Sequence, residues 1–177
     1  MEKEQFIHID EYGNKFYCSD REMTIYHRED GPAFEGTAGY KAWYLNGKRH
    51  REDGPAIERA NGSKYWWLND KRHREDGPAV ELSNGDKAWY LNGKRHREDG
   101  PAIEHVNGDK SWWLNGKLHR EDGPAVEGAD GSKSWWLNNK YLTEEEFNTR
   151  MNSVTELTLD EIAEKFGVSV QQLKIKK

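Results

Sequence analysis

The heptapeptide His-Arg-Glu-Asp-Gly-Pro-Ala occupies residues 50–56 and stands again at 27–33, 73–79, 96–102 and 119–125. The interval is 23 residues each time, which defines copy 1 (27–49), copy 2 (50–72), copy 3 (73–95), copy 4 (96–118) and copy 5 (119–141). A short fixed period is typical of arrays in which each unit packs on its neighbours. The heptapeptide therefore decides the architecture before any other motif is considered.

Each copy carries the pattern of a β-hairpin. In copy 2, residues 56–60 and 63–68 flank Asn61-Gly62, a strong hairpin signal. We expect a two-residue type I′ turn there, which places Ile57 opposite Trp66 and Ala56 opposite Trp67. A second turn signal follows in every copy, at Asn46-Gly47, Asn69-Asp70, Asn92-Gly93, Asn115-Gly116 and Asn138-Asn139. Because one hairpin cannot bury its apolar face alone, the five copies must stack.

The composition fits an extended array better than a globular core. Hydrophobic residues make up 34% of the 177 residues and charged residues 33%, so any core must be thin. The sequence predicts a mainly β protein, an elongated stack of five to six antiparallel β-hairpin repeats with a small α-helical C-terminal cap. We divide it into an N-terminal cap with a degenerate repeat (1–26), the five hairpin repeats (27–141) and a helical segment (142–177).

The N-terminal cap is predicted from Gly13-Asn14-Lys15-Phe16-Tyr17, which matches the Gly-x-Lys-x-Trp strand with Phe16 in place of tryptophan. Its turn before His27 is longer than in the other copies. After Tyr141 the pattern stops, and Thr143 and Glu146 form a capping box for a helix that ends at about Met151.

Two further helices are predicted. One begins with Thr158 as its N-cap, ends at Gly167, and has four apolar residues on one face, Leu159, Ile162, Ala163 and Phe166. Ser169 caps a third, short helix with Val170 and Leu173 turned inward. Residues 159–169 look like the first half of a helix-turn-helix. We favour a helical cap over DNA reading, because the basic side chains, Lys174, Lys176 and Lys177, follow the N-terminal turn that would meet DNA.

The string Trp-(Tyr/Trp)-Leu-Asn-Gly-Lys-Arg-His resembles the MORN repeat family in repeat length and turn chemistry over residues 27–141, about two thirds of the chain. Two features depart from that family. Arg-Glu-Asp-Gly-Pro replaces the Gly-x-Gly after the histidine, and the Tyr-x-Gly-x-Trp opening lacks its inner glycine. The resemblance implies elongated stacked hairpins that serve as interaction scaffolds, sometimes at membranes.

Catalysis is not expected. His-Arg-Glu-Asp contains a base, a cation and two carboxylates, but neighbouring side chains of an extended strand alternate between faces and do not converge on one site. The sequence contains no phosphate-binding glycine loop, nucleophile elbow or HExxH zinc motif. We predict a non-enzyme with no cofactor and no metal site. A histidine ladder that holds divalent ions is the alternative to solvated salt bridges.

Two aromatic columns run through the copies. The first, Trp43, Trp66, Trp89, Trp112 and Trp135, is expected to form the core stripe. The second is expected to line the opposite face and, with three arginines, to form the binding surface: Tyr44, Trp67, Tyr90, Trp113 and Trp136, with Arg51, Arg74 and Arg97. The alternative is that these rings stack on one another and on the arginines, leaving nothing for a ligand.

The leading hypothesis is a non-enzymatic interaction protein that binds a protein partner through a repeat face. Small chains of this kind resemble accessory proteins of phages or bacteria, and that analogy implies an inhibitor of a host factor. The alternative is binding of nucleic acid, nucleotide or another phosphate-rich ligand through Arg and Lys ladders and aromatic stacking. Equal numbers of acidic and basic residues in 27–141, 19 each, count against that alternative. A third possibility, sugar chains or a membrane surface, depends on tryptophan content and the family resemblance.

The chain is expected to be cytoplasmic. Residues 1–5 contain no apolar run, and no later stretch approaches the roughly 18 apolar residues of a membrane span. The single cysteine, Cys18, suits a reducing compartment. The net charge of −5 is mildly acidic, and the sequence leaves the oligomeric state open.

Overall fold

The computed structural model of the protein describes residues 5–152 and 159–172. The chain divides into two compact units, Met1–Thr143 and Glu144–Lys177. Strands make up the regular structure described in the first unit, and short helices that of the second. The predicted mainly β fold, built of stacked antiparallel hairpins with short C-terminal helices, is confirmed.

The strands are short, and most copies contribute four of two residues each. In chain order they are β1 (Phe6–Ile9), β2 (Lys15–Cys18), β3 (Phe34–Glu35), β4 (Lys41–Ala42), β5 (Tyr44–Leu45), β6 (Lys48–Arg49), β7 (Ile57–Glu58), β8 (Lys64–Tyr65), β9 (Trp67–Leu68), β10 (Lys71–Arg72), β11 (Val80–Glu81), β12 (Lys87–Ala88), β13 (Tyr90–Leu91), β14 (Lys94–Arg95), β15 (Ile103–Glu104), β16 (Lys110–Ser111), β17 (Trp113–Leu114), β18 (Lys117–Leu118), β19 (Val126–Glu127), β20 (Lys133–Leu137) and β21 (Lys140–Leu142).

The first two strands of every copy join one antiparallel sheet of 13 strands, which begins at β1 and ends at β21. Each strand pairs with the strand before it and the strand after it, so that Glu81 lies opposite Lys64 on one side and Lys87 on the other. This alternation of Glu and Lys places opposite charges across every interior strand pair of the array. The remaining two strands of copies 1 to 4 form separate two-stranded hairpins.

The two turns of each copy differ in type. At the first turn of copy 2, Arg59 N–H donates to the Ser63 carbonyl and Gly62 N–H to the Arg59 carbonyl, both at 2.9 Å. Of Ala60, Asn61 and Gly62, only Gly62 has a positive φ, +89°. The loop is therefore three residues long with a glycine bulge, whereas a type I′ turn needs a positive φ at both of its central residues. The predicted type I′ turn at Asn61-Gly62 is wrong. The second turn has type I′ geometry in all five copies, as Asn46 (+49°) and Gly47 (+75°) illustrate.

The longer first loop changes the register by one residue. Ile57 lies opposite Tyr65, so the predicted pairs Ile57 with Trp66 and Ala56 with Trp67 are wrong. Trp66 lies at a corner between the long sheet and the second hairpin. Its N–H donates to the Ala79 carbonyl at 2.9 Å, and its carbonyl accepts from the His73 N–H at 3.2 Å. The corner explains why β8 and β9 belong to different sheets.

The fully buried column of the array consists of alanines and not of tryptophans. The alanine that ends each heptapeptide has no exposed surface in any copy: Ala33, Ala56, Ala79, Ala102 and Ala125. The first tryptophan column, expected to form the core stripe, is only half-buried. The alanine carbonyl accepts the backbone N–H of the tryptophan at the corner, so the buried column lies directly beside that corner.

The N-terminal segment is one further strand pair of the same design. β2 pairs with β3 so that Lys15 lies opposite Glu35, as the lysines of the copies do. Tyr17 occupies the tryptophan position, because its N–H donates to the Ala33 carbonyl and its carbonyl accepts from the His27 N–H. The assignment of Phe16 to that position is therefore wrong by one residue. The longer turn before His27 is confirmed and is held by Asp20, whose carboxylate accepts from the Thr24 and Ile25 N–H groups.

The second unit contains α1 (Glu144–Asn152), α2 (Leu159–Phe166) and a 3₁₀ turn at Val170–Gln172. The first helix has the predicted bounds. The second ends where Gly167 adopts a φ of +64°, as predicted, but Leu159 and Phe166 of its apolar face are 48% and 71% exposed. Of the third predicted helix, the described residues form the 3₁₀ turn. Some predicted positions lie outside the described residues: Thr158, Leu173, Lys174, Lys176 and Lys177.

Candidate functional site

The heptapeptide forms a loop that one arginine holds in shape. In copy 3, Arg74 donates from Nε to Asp76 at 2.8 Å, and from Nη1 to Glu81 at 2.9 Å and to the Pro78 carbonyl at 3.3 Å. Its guanidinium lies 4.1 Å from the centre of the Trp66 ring of the preceding copy. The same contacts recur at the equivalent arginines, Arg28 on Tyr17, Arg51 on Trp43, Arg97 on Trp89 and Arg120 on Trp112. The arginine therefore links each loop to the copy before it.

The glycine of the heptapeptide leaves room for this arginine, and its own backbone angle does not call for glycine. A Cβ on Gly77 would lie 3.0 Å from Arg74 Cζ, and one on Gly54 would lie 2.9 Å from Arg51 Cζ. Neither glycine has a positive φ. In Arg-Glu-Asp-Gly-Pro the guanidinium therefore packs beside the glycine backbone, where a side chain would displace it.

The histidine of each heptapeptide joins its loop to the type I′ turn of its own copy. His73 Nδ1 accepts the backbone N–H of Asn92 at 3.2 Å, and the equivalent bonds run from His27, His96 and His119 to the next type I′ turn. Because Nδ1 accepts, the neutral ring carries its proton on Nε2. That nitrogen lies 3.5 Å from Glu75 Oε1, so the ring links the turn to the loop carboxylate.

We call the segments 28–32, 51–55, 74–78, 97–101 and 120–124 the acidic loops. A groove separates each acidic loop from the next, which gives four grooves with volumes of 680–790 Å³. In the groove between loops 51–55 and 74–78, Trp66 and Leu68 form the apolar lining. The corresponding pairs in the other grooves are Trp43 with Leu45, Trp89 with Leu91 and Trp112 with Leu114.

Carboxylates border these grooves on both sides. Glu52 and Asp53 come from one loop and Glu75 and Asp76 from the next, and their side chains are 82–84% exposed. Hydrogen bonding from Arg74 lowers the pKa of the Asp76 carboxyl, as Arg51 lowers the pKa of Asp53. These aspartates are therefore charged at neutral pH, and each groove combines an aromatic and aliphatic lining with an anionic rim.

The structure separates the two sets of residues predicted to form the binding surface. The side chains of Arg51, Arg74 and Arg97 pack on the first tryptophan column and not on the second aromatic column. The second column is half-buried and contacts other arginines: Arg49 lies 3.6 Å from the Trp67 ring centre, and Arg72 lies between Trp67 and Tyr90, 5.3 and 5.2 Å away. Arg95 lies 4.7 Å from the centre of Trp113.

The sequence contained the signal for these missed arginines. Across a two-residue turn at Asn46-Gly47, Tyr44 must lie opposite Arg49, and the structure has that pair. The same count gives Trp67 with Arg72 and Tyr90 with Arg95. The predicted stacking alternative is thus present for the second column, although with arginines from the second hairpin. Trp136 instead packs edge-on against Tyr141, with ring centres 5.3 Å apart.

Metal binding finds no support in the described parts of the chain, where no three His, Cys, Asp or Glu side chains come together as ligands. Within the same parts, no helix combines the length and the apolar character that crossing a membrane requires.

No model of a known protein family matches this chain, and no curated protein matches it in sequence. The resemblance to the MORN repeats therefore stays a prediction, and the case for function depends on the geometry of the array.

Proposed function

We propose that this protein is a non-enzymatic interaction protein that binds a protein partner through the groove face of its repeat array. The observation that carries the proposal is the recurrence of one groove four times, with the same apolar lining and the same exposed carboxylates. A catalytic site needs one constellation of groups in one pocket, whereas identical sites at a constant interval suit repeated weak contacts with one long partner.

The groove face is a better candidate than the second aromatic column. Arginines already cover faces of Trp67, Tyr90 and Trp113. A partner that binds those faces would first have to displace the arginines. In the grooves an arginine also lies over the tryptophan ring, but a leucine adds apolar lining and exposed carboxylates border it, and Arg51, Arg74 and Arg97 hold the aspartates in position. These three predicted arginines thus belong to the proposed site as supports of its walls.

Nucleic acid or another phosphate-rich ligand is the second candidate, and the exposed lysines favour it. Two columns of exposed lysines run through the copies: Lys41, Lys64, Lys87, Lys110 and Lys133 in the long sheet, and Lys48, Lys71, Lys94, Lys117 and Lys140 in the second hairpins. A ligand held by these lysines would lose affinity steeply as the salt concentration rises.

Affinity purification from a lysate of the source organism, followed by mass spectrometry, tests the proposal. The groove variant is Glu52→Gln/Glu75→Gln/Glu98→Gln, which removes three exposed charges and leaves the arginine contacts of the aspartates intact. The matched control is Lys64→Gln/Lys87→Gln/Lys110→Gln. We expect one protein partner to be retained by the wild type and the lysine control and lost by the groove variant.

The opposite pattern would refute the proposal. If the partner is lost only with the lysine variant and disappears after nuclease treatment, the second candidate is correct. The narrower expectation, an inhibitor of a host factor from a phage or bacterium, stays a prediction that the identity of the captured protein would test.

A further inference from the structure

We infer that the four grooves together form one binding site for an extended basic peptide in the polyproline II conformation, with a lysine or arginine at every third residue. The inference rests on the proposed function, because it names the chemistry of the partner that the groove face would bind. Three observations carry it: the lining of the grooves, the charge on their rims and the distance between them.

The lining suits a long cationic side chain. Trp66 offers an aromatic ring and Leu68 an aliphatic surface, and both face a groove of 680 Å³. Lysine and arginine have apolar stems that pack on such surfaces while the charged head stays in water. The indole ring also attracts a cation above its face. Arg74 already covers one face of Trp66, so the stem of a peptide side chain would pack on Leu68 and on the part of the ring that lines the groove.

The rims suit the charged head group. Each groove has two carboxylates on either side, and in copies 2 and 3 these belong to Glu52, Asp53, Glu75 and Asp76. One arginine of each loop pairs with the aspartate, whereas the glutamate side chains are 84% exposed. The rim therefore attracts cations and repels phosphates, which makes the groove face the wrong surface for a nucleic acid.

The distance between grooves selects the backbone conformation of the peptide. Each interior copy adds two strands to the long sheet, so neighbouring grooves are about 9.4–9.8 Å apart at 4.7–4.9 Å per strand. A polyproline II helix has three residues per turn and rises about 3.1 Å per residue, which repeats a side chain every ~9.3 Å. A β-strand repeats on one face after roughly 6.6–6.8 Å, and an α-helix after about 5.4 Å. Of these three repeat distances, only that of the polyproline II helix matches the spacing of the four grooves.

Matching periods make the contacts additive. Once one cationic side chain occupies a groove, the stiff backbone holds the next one at the following groove, so the second contact costs little further conformational entropy. A peptide with a different spacing fills one groove and misses the others.

Synthetic peptides test this directly. The first peptide contains four Lys-Pro-Pro units and the second four Lys-Pro-Pro-Pro units, so both carry the same charge in a polyproline II backbone. Binding to the full chain is measured by isothermal titration calorimetry. Quenching of tryptophan fluorescence reports on the grooves. We expect the first peptide to bind on the order of tenfold more tightly than the second.

Substitutions locate the binding and keep the test independent of the native partner. The Glu52→Gln/Glu75→Gln/Glu98→Gln variant should lose the preference for the first peptide, and Lys64→Gln/Lys87→Gln/Lys110→Gln should keep it; circular dichroism checks that both are folded. Equal affinity for the two peptides, or no binding, would overturn the inference. So would a single-stranded oligonucleotide that competes for the grooves. The proposed function would still stand in those cases if the captured native partner remains sensitive to the glutamate substitutions.

Discussion

At the scale of single residues, copy 2 contains two buried donors without acceptors. Trp67 Nε1 and Arg72 Nε are both inaccessible to water and make no hydrogen bond within the described structure. They face each other across the second hairpin. In copy 3 the equivalent pair is Tyr90 and Arg95, and the tyrosine hydroxyl accepts from Arg95 Nε at 3.3 Å. Copies with the same backbone thus differ in how well their polar groups are satisfied.

We therefore expect Trp67→Tyr to stabilise the protein. The substitution removes one unsatisfied donor and gives the other a hydroxyl acceptor, and each such group costs roughly 1–3 kcal/mol when buried. The smaller ring loses part of its contact with Arg49, which offsets some of this gain. Urea unfolding should show a higher midpoint, with a net gain of about 1 kcal/mol in the free energy of unfolding.

Trp113→Tyr is the matched control for that change. Trp113 Nε1 already donates to Ser111 Oγ at 2.8 Å, and the residue opposite is Leu118, which needs no acceptor. The same substitution should therefore destabilise copy 4 by roughly 1 kcal/mol. If both variants shift the midpoint in the same direction, the explanation through unsatisfied donors is wrong.

The loop aspartates give the stability a defined dependence on pH. Hydrogen bonding from its arginine lowers the pKa of Asp76 below 3.8, the value expected for a free aspartate. A carboxyl whose pKa is lower in the folded state adds stability above its unfolded pKa and loses it as the pH falls through the folded one. Asp76→Asn should therefore be less stable than the wild type at pH 7, and the difference should shrink below pH ~3.8.

Thermal unfolding followed by circular dichroism at a series of pH values checks this prediction. Glu75→Gln is the control, because Glu75 is equally exposed but does not bond to Arg74. It should change the melting temperature little at either end of the series. An Asp76→Asn deficit that persists at the lowest pH would contradict the assigned role of the ion pair.

At the scale of elements, two glycines of each copy serve different purposes. Gly62 closes the first turn of copy 2 with a φ of +89°, and no atom outside its chain neighbours lies within 4 Å of the position of a Cβ. Gly77 has an ordinary backbone angle, but Arg74 Cζ lies 3.0 Å from where its Cβ would be. The first is fixed by backbone strain and the second by packing.

Alanine at either glycine should destabilise the array, but only one effect depends on an arginine. Gly62→Ala forces a side chain into the left-handed region and should cost about 1–2 kcal/mol with or without Arg74. Gly77→Ala displaces the guanidinium and should cost roughly 1–3 kcal/mol in the wild type and clearly less in an Arg74→Met background. A double-mutant cycle on unfolding free energies measures this coupling. A coupling at Gly62 as large as at Gly77 would refute the distinction.

At the scale of the whole molecule, the repeat period predicted the architecture because every copy solves the same packing problem. The stacked hairpins and the second turn follow from patterns that one copy contains, and the first helix follows from the capping box after the array. The register did not, because Asn-Gly fits both a two-residue turn and a three-residue loop, which differ in hydrogen bonds such as that from Gly62 N–H to the Arg59 carbonyl. Because the loop has one residue more than predicted, Tyr65 lies opposite Ile57, and the tryptophan column lies at a corner.

The candidate site was predictable only in part for the same reason. Arg51, Arg74 and Arg97 were expected beside the second aromatic column, but they contact the first tryptophan column of the preceding copy. Sequence spacing within one copy cannot show a contact between copies. The grooves themselves arise between successive loops, so no single repeat contains one.

The most direct test of this array is the removal of one interior copy. Deleting residues 73–95 joins Arg72 to His96, which reproduces the Arg-His junction of the first four copies. We expect a folded protein, because the new neighbours present the same loops and turns to each other. The free energy of unfolding and its dependence on urea should both fall, since a shorter array exposes less surface on unfolding.

Deleting residues 73–94 is the matched control, since it retains one extra residue before His96 and breaks the strand pairing. This variant should lose the cooperative transition that the 23-residue deletion keeps. The deletion of residues 73–95 also removes one of the four grooves. It should therefore weaken binding of the four-unit Lys-Pro-Pro peptide without abolishing it. Equal stability of the two deletions would show that the copies do not stack through a common register.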